Sequence, residues 1–159
     1  MKRILTTAFV GALLAIGSAA IVAAPAADPA IGTWKLNVAK SKFSPGPAPK
    51  SETRTYAESA QGITLSWKSV GADGKETSVQ TTYKIDGKDY PVTGNPNNDS
   101  ISLKRVDSNN VEFTLKKGGK VVGTGSRSVS KDGKVLTNSS KGTTAKGEAL
   151  DNTLVFDRQ

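Results

Sequence analysis

Asp-Gly occurs three times in this chain, at 73–74, 86–87 and 132–133, and each time Lys follows. Gln61-Gly62, Asn109-Asn110 and Gly118-Gly119 mark three further sharp reversals. These pairs suit hairpin turns because their residues adopt positive φ at low cost. Turns this frequent leave only short segments between them, and in those segments polar and apolar residues alternate with period two. In VQTTYKI, Val79, Thr81, Tyr83 and Ile85 share one face, opposite Gln80, Thr82 and Lys84. Val111, Phe113 and Leu115 are set apart in the same way, as are Ile63, Leu65 and Trp67, and Ile101 and Leu103. Such alternation marks strands with one buried face. Past the first thirty residues no segment of helical length carries an apolar stripe at 3.6-residue spacing.

The segments predict up to ten strands, at about 32–38, 51–58, 62–70, 76–85, 88–92, 99–106, 110–117, 119–130, 133–140 and 147–157. Short turns make sequence neighbours spatial neighbours, which is an antiparallel meander. Two longer breaks interrupt it, Thr93–Asn98 and Lys141–Gly147. A meander this long must close or expose two edges, and closure removes the edges. The expected fold is therefore all-β, a single antiparallel up-and-down closed barrel of about eight to ten strands. A β-sandwich is the alternative, but it needs longer crossing connections than this chain offers. The Asp-Gly-Lys turns are irregularly spaced, so turn chemistry accounts for them without an internal repeat.

Residues 1–26 stand apart. Lys2 and Arg3 precede an apolar run from Ile4 to Ala24, and Ala24-Pro25-Ala26 offers a small-residue cleavage site. This pattern predicts a cleavable secretory signal peptide, leaving a barrel domain over 27–159 and a secreted or periplasmic protein. The alternative for this run is a membrane-spanning helix, since it approaches the ~20 residues a bilayer requires. With the signal removed, no membrane span is expected.

The chain has 22 basic and 14 acidic side chains. Only Lys2 and Arg3 fall in the leader, so the remaining domain is basic. The charges are scattered, which suits a solvated surface; a contact with an anionic envelope polymer is the sharper alternative. Basic residues are not interleaved with exposed aromatics, so nucleic acid is not an expected partner. Cys and His are both absent. That removes disulfides, a thiol nucleophile, a Ser–His pair and a His-based zinc site. Neither an enzyme nor a metal or cofactor is expected, and the protein is expected to be a monomer.

The first strand begins GTWKLN at 32–37, and the chain ends LVFDRQ. With Gly32 and Trp34 as a G-x-W and Arg158 near the end of the last strand, the chain resembles the calycin superfamily of lipocalins and fatty-acid-binding proteins. It is most similar to small secreted bacterial lipocalin-like proteins. The resemblance implies that Trp34 packs across the barrel floor with Arg158 over its ring, a favourable cation–π arrangement. It also implies a non-enzymatic exported protein that takes a small hydrophobic or amphipathic ligand into the barrel. The segment after the first strand carries Pro45, Pro47 and Pro49, which excludes the helical lid of the fatty-acid-binding branch.

Candidate ligand contacts follow from strand phase. Arg105 continues the face of Ile101 and Leu103, and Arg127 is in phase with Val121, Gly123, Gly125 and Val129. An inward guanidinium needs an anion, so these two arginines suggest an anionic ligand; Asp151 and Glu112 are the nearest acids that could substitute for one. Strand ends that turn both arginines to water are the alternative, and Arg54, on the face of Tyr56, is expected to face solvent. Trp67, Tyr83, Tyr90 and Phe113 are expected to line the interior, as core or as ligand contacts. Gly123 and Gly125 suggest a sharp bend or interior space. Phe43 could cover one barrel mouth or pack in its own loop. The competing expectation for function is a barrel filled by its own side chains that acts as an interaction module, because small barrels have barely enough room for side chains.

Overall fold

A computed structural model describes residues 27–159, so the expected signal peptide lies outside the described residues. Ten strands follow one another: β1 Gly32–Leu36, β2 Ser51–Ser59, β3 Gly62–Val70, β4 Glu76–Tyr83, β5 Asp89–Thr93, β6 Ser100–Arg105, β7 Asn110–Lys117, β8 Lys120–Val129, β9 Val135–Thr143 and β10 Ala149–Arg158. Each pairs antiparallel with its neighbours in sequence, and β1 pairs with β10 to close the barrel. The closed meander expected from the turns is the observed fold, and the sandwich is excluded.

The first strand is shorter than its alternation suggested. After Leu36 the Asn37 side chain accepts a hydrogen bond from the Lys40 amide, capping a 3-10 turn over Val38–Lys40. The chain then returns to β10, where Lys42 pairs with Thr153. Asn37 bends the backbone because its side chain competes locally for amide hydrogens.

The pairing registers sort the connections between two ends. At one end lie the tight turns after β2, β4, β6 and β8, together with residues 28–31 and the end of β10. At the other lie the longer connections before β2, between β5 and β6 and between β9 and β10, with the turns after β3 and β7. The first end is a floor and the second a mouth. Across the mouth Asn97 Oδ1 accepts from the Ala145 amide at 2.9 Å, joining two of the long loops.

Between them the inward faces form one core that includes Trp34, Leu36, Tyr56, Leu65, Tyr83, Leu103, Val111, Phe113, Leu136 and Phe156. Gly125 shapes its middle. A Cβ there would fall within 2.4 Å of the Phe113 ring and 2.1 Å of the Ser139 carbonyl oxygen. The missing side chain leaves the room that the Phe113 ring occupies beside the β8 backbone. Nearby, the β7–β8 register shifts between Leu115 and Lys116, the irregularity that lets a sheet bend into a barrel. Phe43 is half-buried and packs against this core.

Candidate functional site

The floor is built from both ends of the chain. Trp34 is fully buried, and its indole Nε1 donates to the Ala30 carbonyl at 2.7 Å. Arg158 lies over it, with Cζ 4.1 Å from the ring centroid. The same guanidinium donates from Nη1 to the Ile31 carbonyl at 2.8 Å and from Nη2 to the Pro29 carbonyl at 2.6 Å, while its Nε donates to the Gly133 carbonyl. Gly32 has φ +131°, and a Cβ there would sit 2.7 Å from Arg158 Nη1. The G-x-W glycine is thus required twice, by its own backbone and by the arginine above it.

Residues 28–31 run under the barrel and insert Asp28 into it. Both Asp28 oxygens accept from Arg127 Nη2, at 2.9 and 2.8 Å, and Oδ1 also accepts from the Ala30 amide at 2.9 Å. Arg105 Nη2 donates to Oδ2 from the outer side. Burial alone would raise the Asp28 pKa, but the Arg127 charge, the Ala30 amide and Arg105 together hold it below the ordinary carboxylate value. Arg127 Nη1 donates to the Tyr83 hydroxyl at 3.1 Å, and its Cζ lies 5.2 Å from the Tyr56 ring centroid. Burial pushes the Tyr83 phenol well above its usual range against the opposing pull of Arg127.

Above the floor is a cavity of about 390 Å³, within the ~300–1,000 Å³ of small-molecule sites. Leu65, Trp67, Val79, Leu103, Phe113 and Leu115 give its apolar wall. Ser69, Thr77, Asn138, Ser140 and Asn152 give a band of uncharged polar groups, and Asn95–Asn98 close round from the mouth. Three charged side chains reach it: Glu52, Arg54 and Arg127.

Arg54 is 8% exposed and turned inward, contrary to the expectation that it faces water. On β2 it alternates with Glu52 and Tyr56, and all three are buried. Its Nε donates to Glu52 Oε1 at 2.6 Å, and its guanidinium lies 4.6 Å from the Phe156 ring centroid and 5.3 Å from that of Trp67. Burial would lower its pKa, but Glu52 and Tyr56 raise it above the ordinary value, so the group stays charged.

Of the residues singled out from strand phase, Trp67, Tyr83, Phe113 and Arg127 line the cavity. Arg105 does not. It ends β6, its side chain is 37% exposed, and it turns under the floor to Asp28 and the Asp107 and Ser108 carbonyls. Tyr90 does not line the cavity either: β5 has only five residues, and the Tyr90 hydroxyl donates to Asp86 in the adjoining turn at 2.9 Å. The counter-charge for Arg127 is Asp28, not a ligand and not Asp151 or Glu112. Asp151 is exposed and pairs with Lys141 at 3.3 Å, and Glu112 is exposed on the outer face of β7. The Glu52–Arg54 pair was legible as acid and base two residues apart on one strand face. Nothing local pointed to Asp28, whose partners are 77 and 99 residues away.

No protein-family model and no curated protein matches the sequence. Among solved structures, Rv2717c from M. tuberculosis is similar with a TM-score of 0.51 and 16% identity, covering 82% of this chain and 93% of that one. The two chains share their fold, which here is a closed ten-stranded antiparallel barrel. Weaker likenesses are to the zebrafish ileal bile acid-binding protein complexed with cholic acid (TM-score 0.48, 8% identity, 82% and 99% of the two chains) and to the siderocalin Ex-FABP (0.36, 9%, 82% and 71%). In this barrel the G-x-W strand, Arg158 and the Asp28 segment make the floor, and the cavity lies above them.

Proposed function

We propose that this protein is an exported, non-enzymatic binding protein that takes a small amphipathic molecule into its barrel from the mouth. The observation that carries this is the cavity of about 390 Å³, whose lining mixes apolar side chains with hydrogen-bonding groups. A barrel filled by its own side chains, acting only as an interaction module, has no use for such a space. Both buried acids are committed to arginines, Asp28 to Arg127 and Glu52 to Arg54, which favours binding over catalysis. Export rests on the sequence of residues 1–26 alone.

The test is mass spectrometry of organic extracts of the purified protein, together with titration of Nile red and its displacement by short-chain amphiphiles. A co-purified small molecule or a displaceable bound probe is the expected result. Absence of both overturns the proposal.

A further inference from the structure

Each arginine in the cavity wall has an acid against it. Arg127 is held by both oxygens of Asp28, and Arg54 by Glu52. Arg105, the second cation on Asp28, lies outside the cavity, and the other polar groups lining the cavity among the described residues are uncharged: Ser, Thr, Tyr and Asn. The two pairs differ in access. Asp28 has a side chain 4% exposed, and it accepts hydrogen bonds from the Ala30 amide, Arg105 and Arg127, so the floor pair is closed. The Glu52–Arg54 pair lines the cavity itself. There only Nε of Arg54 and Oε1 of Glu52 are joined to each other. The guanidinium carbon lies 5.3 Å from the Trp67 ring centroid and 4.6 Å from that of Phe156, and its two Nη groups make no hydrogen bond to Glu52.

Such a pair presents donors and an acceptor side by side with no net charge. A ligand carboxylate that reached the Arg54 donors would come to rest next to Glu52, and like charges in apposition repel. A head group that both donates and accepts satisfies Glu52 and Arg54 at once.

We propose that the cavity selects uncharged amphiphiles whose head group both donates and accepts hydrogen bonds, of the carboxamide class, and rejects carboxylates, with the Glu52–Arg54 pair as the determinant. This rests on the binding-protein reading above and names its ligand class. It also reverses the anionic preference that Arg105 and Arg127 suggested from sequence.

The experiment is displacement of Nile red at pH 7 by octanamide, octanoate and methyl octanoate, in wild type, Glu52→Gln and Arg54→Gln, with folding checked by circular dichroism. In wild type octanamide is expected to bind about tenfold more tightly than octanoate, with the ester, which only accepts, between them. Glu52→Gln removes the repelling charge and leaves the arginine's charge uncompensated, so the preference should reverse toward octanoate by a similar factor. Arg54→Gln leaves Glu52 alone and should weaken octanoate further. Octanoate binding as tightly as octanamide in wild type overturns the proposal, and so does a ratio unchanged in a folded Glu52→Gln. Either result leaves the binding-protein reading standing. Nile red that binds but is displaced by none of the three overturns the ligand class alone, while no Nile red binding and no co-purified molecule overturns both. If a variant fails to fold, the wild-type ratio decides by itself.

Discussion

Two arginines on inward strand faces, Arg127 and Arg54, have been put to opposite uses. Arg127 sits at the floor, 3% exposed, and takes its acid from a segment outside the sheet. Asp28, the Tyr83 hydroxyl and the Tyr56 ring surround it, and its Nε alone has no partner. Arg54 takes its acid from its own strand two residues away and keeps one side of its guanidinium toward open space. A counter-ion brought in by the fold closes a site, whereas one supplied by the neighbouring strand position leaves it open. The barrel is accordingly a sealed floor under a receptive chamber.

Substitutions at the floor should therefore cost stability, and those at the Arg54 level should change binding. The largest effect is expected for Trp34→Ala, which removes a fully buried aromatic and the ring beneath Arg158. A loss of about 3–5 kcal/mol in chemical denaturation is expected, and a near-wild-type midpoint would mean that the floor does not depend on its indole.

Asp28→Asn keeps the shape but removes the charge between Arg127 and Arg105. The expected loss is about 1.5–3 kcal/mol, as for hydrogen bonds to charged groups. Because the native Asp28 pKa lies below its ordinary value of 3.8, its stabilisation is complete above that pH and is lost as pH falls through the native value. The stability difference between wild type and Asp28→Asn should thus be constant near neutrality and shrink in acid. A difference that grows in acid would contradict the pairing.

Gly125→Ala probes the level between floor and chamber. A methyl group cannot fit against the Phe113 ring and the Ser139 carbonyl without moving one of them, so a loss of about 1–3 kcal/mol is expected, relieved in part by Phe113→Leu. Additivity of the two changes would show that the ring is not the obstacle. Glu52→Gln should have the smallest effect on stability, about 0.5–1.5 kcal/mol, since Gln still accepts from Arg54 Nε. A larger loss than that of Asp28→Asn would erase the contrast between closed and open pairs. Tyr83 offers a spectroscopic check on burial: in folded protein its phenolate absorbance should stay silent well past pH 10, and Tyr83→Phe should not alter the titration seen there.

Much of the fold was legible because its determinants are local. Turn pairs such as Asp86-Gly87 and Asp132-Gly133 bend the chain through their own φ preferences, and alternation such as Val111, Phe113 and Leu115 needs only the pleat of one strand. Boundaries were less legible where side chains compete with the ladder. Asn37 ended β1 early, and the 37–50 segment rejoined β10 without any strand pattern.

The sequence by itself determined that this chain is an antiparallel meander of about eight to ten segments, that its apolar faces point one way, and that Gly32, Trp34 and Arg158 stand at the two ends that must meet when it closes. Only the tertiary structure decided which charges are spent. Strand phase can say that Arg54, Arg105 and Arg127 lie on inward faces, but the position of an arginine tip depends on where its strand ends and on what the fold brings beside it. Closure brought Asp28 to Arg127 across 99 residues, drew Arg105 out beneath the floor to the same carboxylate, and left Arg54 in the chamber with Glu52. Electrostatic energy depends on distance in space, and sequence separation carries no information about that distance until the barrel has closed.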